Sequence, residues 1–426
     1  MSELGDHIYG PKGKVTFRST LDFPHLTNIS IGSFAGKAFP FEIRNMSKLE
    51  FKLNFEEDEI DSTVFSSALI DGASLESLLV NFALPKKLKL PLLRQLGCSL
   101  LFDDDLEYLE SDHSVNLTHL EIRMAEQLTR FPDISRLLKL RALSIRNETN
   151  EVSISGGQPL HFPNLESLSL AATSEQISLY KFREITSLQR LSLHGEDQAD
   201  KIAFKEFNII SLFSSLKEIF IHGSFDASDF VPTLKRLPNL SSLAVVWADS
   251  GGDDIPVPAT ISLLRALHAD KLTVLSLTGF EVDDKIMEII SNFSLLQNLH
   301  LFFKAGFTFE ENLFLPLFRL SSLRGLELLN PLGTGKISLL TLEKFSQMYI
   351  NMKSTFERVI LMGVTSGVDA KEVAKLFPAC DEIHLDESPL GEMFNMDDFQ
   401  NAIMNGGEGD DEEEEGEGED EEEEEI

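Results

Sequence analysis

The chain has 426 residues and a net charge of −33, from 70 carboxylates against 37 lysines and arginines. That charge excludes direct nucleic-acid binding by the molecule as a whole, because phosphate contacts need a basic surface. No run of about 18 apolar residues marks a membrane span, and the start Met1-Ser2-Glu3-Leu4-Gly5-Asp6 lacks the charged-then-apolar layout of a signal peptide.

In chain order, residues 1–25 are expected to cap the N-terminal end. From there one motif recurs, with apolar residues at its first, fourth and sixth places. Leu165-Glu166-Ser167-Leu168-Ser169-Leu170 and Leu188-Gln189-Arg190-Leu191-Ser192-Leu193 are clear copies. The register starts at Leu26, Met46, Leu75, Leu93, Leu117, Leu140, Leu165, Leu188, Leu216, Leu240, Leu272, Leu296, Leu323, Phe356 and Cys380. Met46, Leu93, Phe356 and Cys380 open degenerate copies. The mean spacing is about 25 residues, which suits one short strand and one return segment per repeat. A single repeat cannot bury its own apolar face, so stacking must join the copies into one core.

The returns change along the chain. Phe131-Pro132-Asp133-Ile134 predicts an irregular or 3₁₀ return, whereas Asp283 to Ile290, Thr341 to Ile350 and Asp369 to Leu376 have helical apolar spacing. A short capping helix is expected over 395–405, closed by Gly406-Gly407. The last 21 residues hold 15 acidic groups and no basic one, leaving −18 for the rest. Such a run repels itself and is expected to be disordered.

The repeated strand motif resembles that of leucine-rich repeat proteins of the ribonuclease-inhibitor-like and F-box-associated kinds, over roughly residues 20–390. The resemblance implies an α/β solenoid, or horseshoe, with a parallel concave sheet and helical or irregular returns on the convex side. It divides the chain into an N-terminal cap (1–25), solenoid (26–390), C-terminal cap (391–405) and acidic tail (406–426). The asparagine that many such repeats place after the third apolar position is missing. Glu148, Thr173, Glu196, Ser224, Ala248 and Phe280 stand there instead.

Strand side chains alternate between faces, so the residues two, four and six after each start should line the concave surface. Arg123, Arg146, His194 and His222 fall in one column of that face, with His119 and Arg190 beside it. Phe302, Leu329, Ile360 and Met362 form an apolar group further along. Arg123, Arg146, Arg190, His194, His222, Phe302, Leu329 and Met362 are therefore the candidate partner-binding residues, since arginine and apolar clusters mark interaction surfaces. Ordinary surface charge, balanced by Glu121 and Glu218, is the competing explanation of the basic column.

Catalytic patterns are lacking: there is no GxxxxGK[ST] loop, no HExxH and no CxxC. His194-Gly195 and His222-Gly223 match between adjacent repeats, but two histidines are too few for a metal site. No cofactor is expected. Cys98 and Cys380 occupy ladder positions and read as core thiols, which fits a reducing compartment. The expected function is a non-catalytic intracellular scaffold, cytoplasmic or nuclear. It would bind a partner protein on the concave face, with the acidic tail for basic partners or for solubility.

Two further families share parts of this layout. Ran-type GTPase-activating proteins are similar in combining repeats with an acidic C-terminal tract. Their activity implies an arginine in an early Thr-Gly-Arg-like motif, and this chain has no Gly-Arg pair; Arg44 and Arg94 lack that context. Phe39-Pro40-Phe41-Glu42-Ile43 faintly resembles the start of an F-box, which would imply a ubiquitin-ligase substrate receptor. The repeat starting at Met46 leaves no room for its helices.

Overall fold

The computed structural model describes residues 28–31, 47–51, 75–80, 90–100, 103–124, 128–147, 159–171, 178–195, 207–223, 225, 227–247, 255–303, 307–330, 334–351, 356–365, 368–378, 380 and 382–384. The chain divides into two units, Met1–Leu385 and Asp386–Ile426, and all described residues belong to the first. The expected caps at 1–25 and 391–405 and the acidic run at 406–426 lie outside the described residues.

Among the described residues, fifteen short strands form one sheet in chain order, from Asn28–Ile31 to Glu382–His384. Every neighbouring pair in it is parallel, as in Leu120↔Leu143↔Leu168↔Leu191. Parallel neighbours need a crossover segment between them, and the return of each repeat supplies it. The result is an α/β, solenoid-like repeat.

The residue two after each expected start is in register with its counterparts along the whole sheet. The row runs through Asn28, Lys48, Ser77, Gln95 and His119 to Arg358 and Glu382. The degenerate copies at Met46, Leu93, Phe356 and Cys380 keep step with the clear ones. The core explains why: Leu93, Leu117, Leu140, Leu165, Leu188, Leu272, Leu296 and Leu323 are 0–1% exposed, and Phe356 fills the same place at 4%. Shifting one strand by a residue would turn its whole apolar set outward. Each fully buried leucine contributes roughly 1.5–3 kcal/mol before entropy is charged against it.

A backbone ladder fixes the start of each strand. One carbonyl accepts two successive N–H groups from the next repeat. Thr118 and His119 donate to Arg94, Arg141 and Ala142 to Thr118, and Glu166 and Ser167 to Arg141. Side chains reinforce it, with Thr118, Ser241 and Thr273 hydroxyls donating to Arg94, Lys217 and Ser241 carbonyls. Just before the strands, Asn116, Asn164 and Asn239 amides bond to the carbonyls of Pro91, Leu138 and Ser214.

The missing asparagine is partly a matter of one residue. Asn330 stands one place earlier than expected, is 1% exposed, and donates to both the Phe307 and Gly363 carbonyls at 2.9 Å. Asn147 occupies the matching place and is equally buried. In other repeats glycine takes this place: Gly279 has φ +76°, and a Cβ there would lie 2.6 Å from the Trp247 carbonyl oxygen. At Asn330 the strand exit turns on an asparagine amide, and at Gly279 on a left-handed backbone that favours glycine.

The returns follow the sequence. Early ones hold 3₁₀ turns at Asp103–Glu107, Ser114–Asn116 and Leu179–Phe182. Later ones hold helices at Val257–Ala266, Asp284–Ile290, Leu339–Asn351 and Ala370–Leu376. Asp283 and Asp369 cap two of them, their carboxylates accepting from Ile286 N and Lys371 N. Wider returns demand larger core residues, and aromatic rings fill the space: Phe314, Phe345, Tyr349, Phe356 and Phe377 make a chain of ring contacts 4.5–5.3 Å apart. Cys98 is buried and Cys380 half-buried against the same core. Among the described residues, no helix is long and apolar enough to cross a membrane.

Candidate functional site

Alternation leaves one face of the sheet away from the core, and the register orders its side chains into three rows. In the row furthest along the strands, Arg123 faces Arg146, Arg146 faces Ala171, Ala171 faces His194, and His194 faces His222. The basic column is thus a physical row. Arg190 and His119 belong to the first row, three strand steps apart. Arg123, Arg146 and Arg190 are exposed, and His194 and His222 are half-buried.

His194 is the most constrained member. Its Nε2 lies 2.5 Å from Ser192 Oγ. Its ring packs 4.9 Å from Phe220 and 6.4 Å, edge-on, from His222. Burial first, then the neighbouring His222 and Arg146, push its pKa down to about 4. At neutral pH the ring is uncharged, so His194 contributes hydrogen bonding and stacking to this face. His119 is also shifted down, by burial and then by Arg141 and Arg190.

The apolar group needs correcting. Phe302, Leu329 and Met362 do face one another in register, with Ile360 in the row beside them. Leu329 is only 3% exposed, Ile360 2% and Met362 8%, and Phe302 alone keeps partial exposure. Strands lie about 4.8 Å apart, so large side chains in register cover one another. The same effect buries Phe220, Ala244 and Val246, which the alternation alone would leave open.

A charged cluster beside that group escaped the sequence reading. Glu327 is 1% exposed, with His300 Nδ1 2.7 Å from its Oε2 and Arg358 Nη1 2.9 Å from its Oε1. His300 is its register partner; Arg358 reaches it diagonally from the next strand, beside Gly325. The alternation already placed all three on this face. What it lacks is depth, and depth separates a buried ion pair from ordinary surface charge.

Among the described residues, no group of three or more His, Cys, Asp or Glu is placed to hold a metal ion. The buried Cys98 thiol is pushed up by burial, then by Asp105 and Glu121, which suppresses the reactive thiolate. A scan against protein-family models finds no family that matches this chain, and a search of curated proteins returns no match.

Proposed function

We propose that this chain is a leucine-rich repeat protein of the ribonuclease-inhibitor-like kind. In this reading it is a non-catalytic, intracellular scaffold that binds a partner protein on the outward, concave face of its sheet. The acidic run at 406–426 adds contacts to basic partners or keeps the protein dispersed. One observation carries the reading: the exposed row Arg123–Arg146, continued by His194 and His222 with Arg190 beside it, on a rigid sheet of a strongly acidic chain. Arginine and aromatic side chains on a fixed platform are the usual anchors of protein interfaces, and a solenoid presents them over an extended surface.

The experiment is co-purification with the full-length protein and with an Arg123→Glu/Arg146→Glu/Arg190→Glu variant of unchanged circular dichroism. Partners captured by the first and lost by the second support the reading. Equal recovery by both removes it. The GTPase-activating alternative keeps its own test: stimulated hydrolysis by a Ran-type GTPase, abolished by changing Arg44 or Arg94, would replace the scaffold with a catalytic regulator. Co-purification of a Skp-type adaptor would favour the ubiquitin-ligase reading.

A further inference from the structure

Three consecutive strands carry mostly small side chains on the outward face, with cations at their margins. Ala142 and Ser144 lead to Arg146; Ser167, Ser169 and Ala171 make the middle strand; Arg190, Ser192 and His194 make the third. Register sets Ser144, Ser169 and Ser192 in one row. In the next row Ala171 separates Arg146 from His194 by two strand spacings, about 10 Å. Ser144, Ser167 and Ser169 keep partial exposure, while Ser192 is fully buried and bonded to His194. Arg146 and Arg190 are exposed on opposite sides of the middle strand, and Arg190 forms no ion pair among the described residues. Glu121 on one flank and Glu218 on the other confine the ground favourable to an anion to this floor.

We infer that the floor over Ser169 receives a phosphate monoester, carried as phosphoserine or phosphothreonine on an extended segment of the partner protein. The inference rests on the reading of this face as the partner-binding surface. Arg146 and Arg190 approach from the two margins, and the Ser144, Ser167 and Ser169 hydroxyls rise from the floor. That donor set suits a group with three acceptor oxygens and close to two negative charges. A carboxylate, with two oxygens in one plane, engages fewer of them. Guanidinium–phosphate pairs are charge-assisted and strong enough to act from an open surface, and arginine clusters are a recurring means of recognising phosphorylated segments. On its outward face the middle strand carries nothing larger than serine, so the phosphate can settle close to the sheet. His194, neutral because it is buried, bounds the floor without adding charge.

The test uses the full-length chain and fluorescence anisotropy with three fluorescein-labelled peptide pools, degenerate around a central phosphoserine, serine or aspartate. The phosphoserine pool is expected to bind about tenfold tighter than either other pool, the gain that one added hydrogen bond between charged groups supplies. Arg190→Glu and Ser169→Asp should each abolish that preference while leaving circular dichroism unchanged. Equal binding of the phosphoserine and serine pools overturns the inference. So does an aspartate pool that binds as tightly, or a preference that survives Arg190→Glu. Partners lost from the triple arginine variant but indifferent to phosphatase would sink the phosphate site and leave the scaffold reading standing. Partners that ignore the triple variant would sink both.

Discussion

Burial beside Phe220, and then the neighbouring His222 and Arg146, keep the His194 imidazole neutral, its pKa pushed down to about 4. In the unfolded chain the same ring would protonate near 6.5. Between those values the unfolded state binds the extra proton, so stability falls as pH drops through that window. His194→Gln should remove this contribution, of at most about 3 kcal/mol, and flatten the acid limb of the stability profile. A ring titration by nuclear magnetic resonance at an ordinary histidine value would contradict the burial argument. Glu327 poses the other residue-scale test. Arg358→Ala leaves a buried carboxylate with only His300 beside it, and should cost about 3 kcal/mol. Replacing Glu327 and Arg358 together by Leu and Met should cost much less, because the buried charge goes with its partner. Urea denaturation of both variants decides between a buried pair and loose surface charge.

At the scale of the element, strand and return are each set by a few side chains. Asp283→Ala removes the carboxylate that caps Asp284–Ile290, for an expected loss of about 1 kcal/mol. Gly279→Ala forces a Cβ against the Trp247 carbonyl at positive φ, and should cost more, about 1–3 kcal/mol. Matched thermal melts of the two variants test that order. These elements were legible in the sequence because their signals are local. The apolar ladder fixed strand register even at Met46 and Cys380, and Asp283 announced its helix. The polar turn ladder was harder to read, because Asn116, Asn164 and Asn239 act before the strand and Asn330 acts one place early. The outward face was half legible: alternation placed Arg123, Arg146 and His194 in one row, as the register has them. It could not show that Leu329 and Met362 are covered, because burial depends on what neighbouring repeats place beside them.

The described part of Met1–Leu385 is a stack in which each strand of the main sheet pairs only with the strands of the repeats before and after it. Stability in such a stack is close to a sum of nearest-neighbour terms, so damage stays local. Leu243→Ala, at a fully buried position, should cost about 2–5 kcal/mol. Hydrogen exchange should show the loss concentrated in the strands flanking Ser242–Val246. The net charge of −33 adds a global term. Self-repulsion opposes the compact state and salt screens it, so the melting temperature should rise with added sodium chloride. A fall would mean that surface pairs such as Arg136–Asp112 and Arg324–Glu357 outweigh the repulsion.

The most direct test of the account is quantitative co-purification from cell extract with three proteins: the full-length chain, residues 1–405, and the full-length Arg123→Glu/Arg146→Glu/Arg190→Glu variant. The account predicts a partner set retained by residues 1–405 and lost from the triple variant. Partners retained by the triple variant and lost on removing residues 406–426 would contradict it, and would move the binding function from the sheet to the acidic tail.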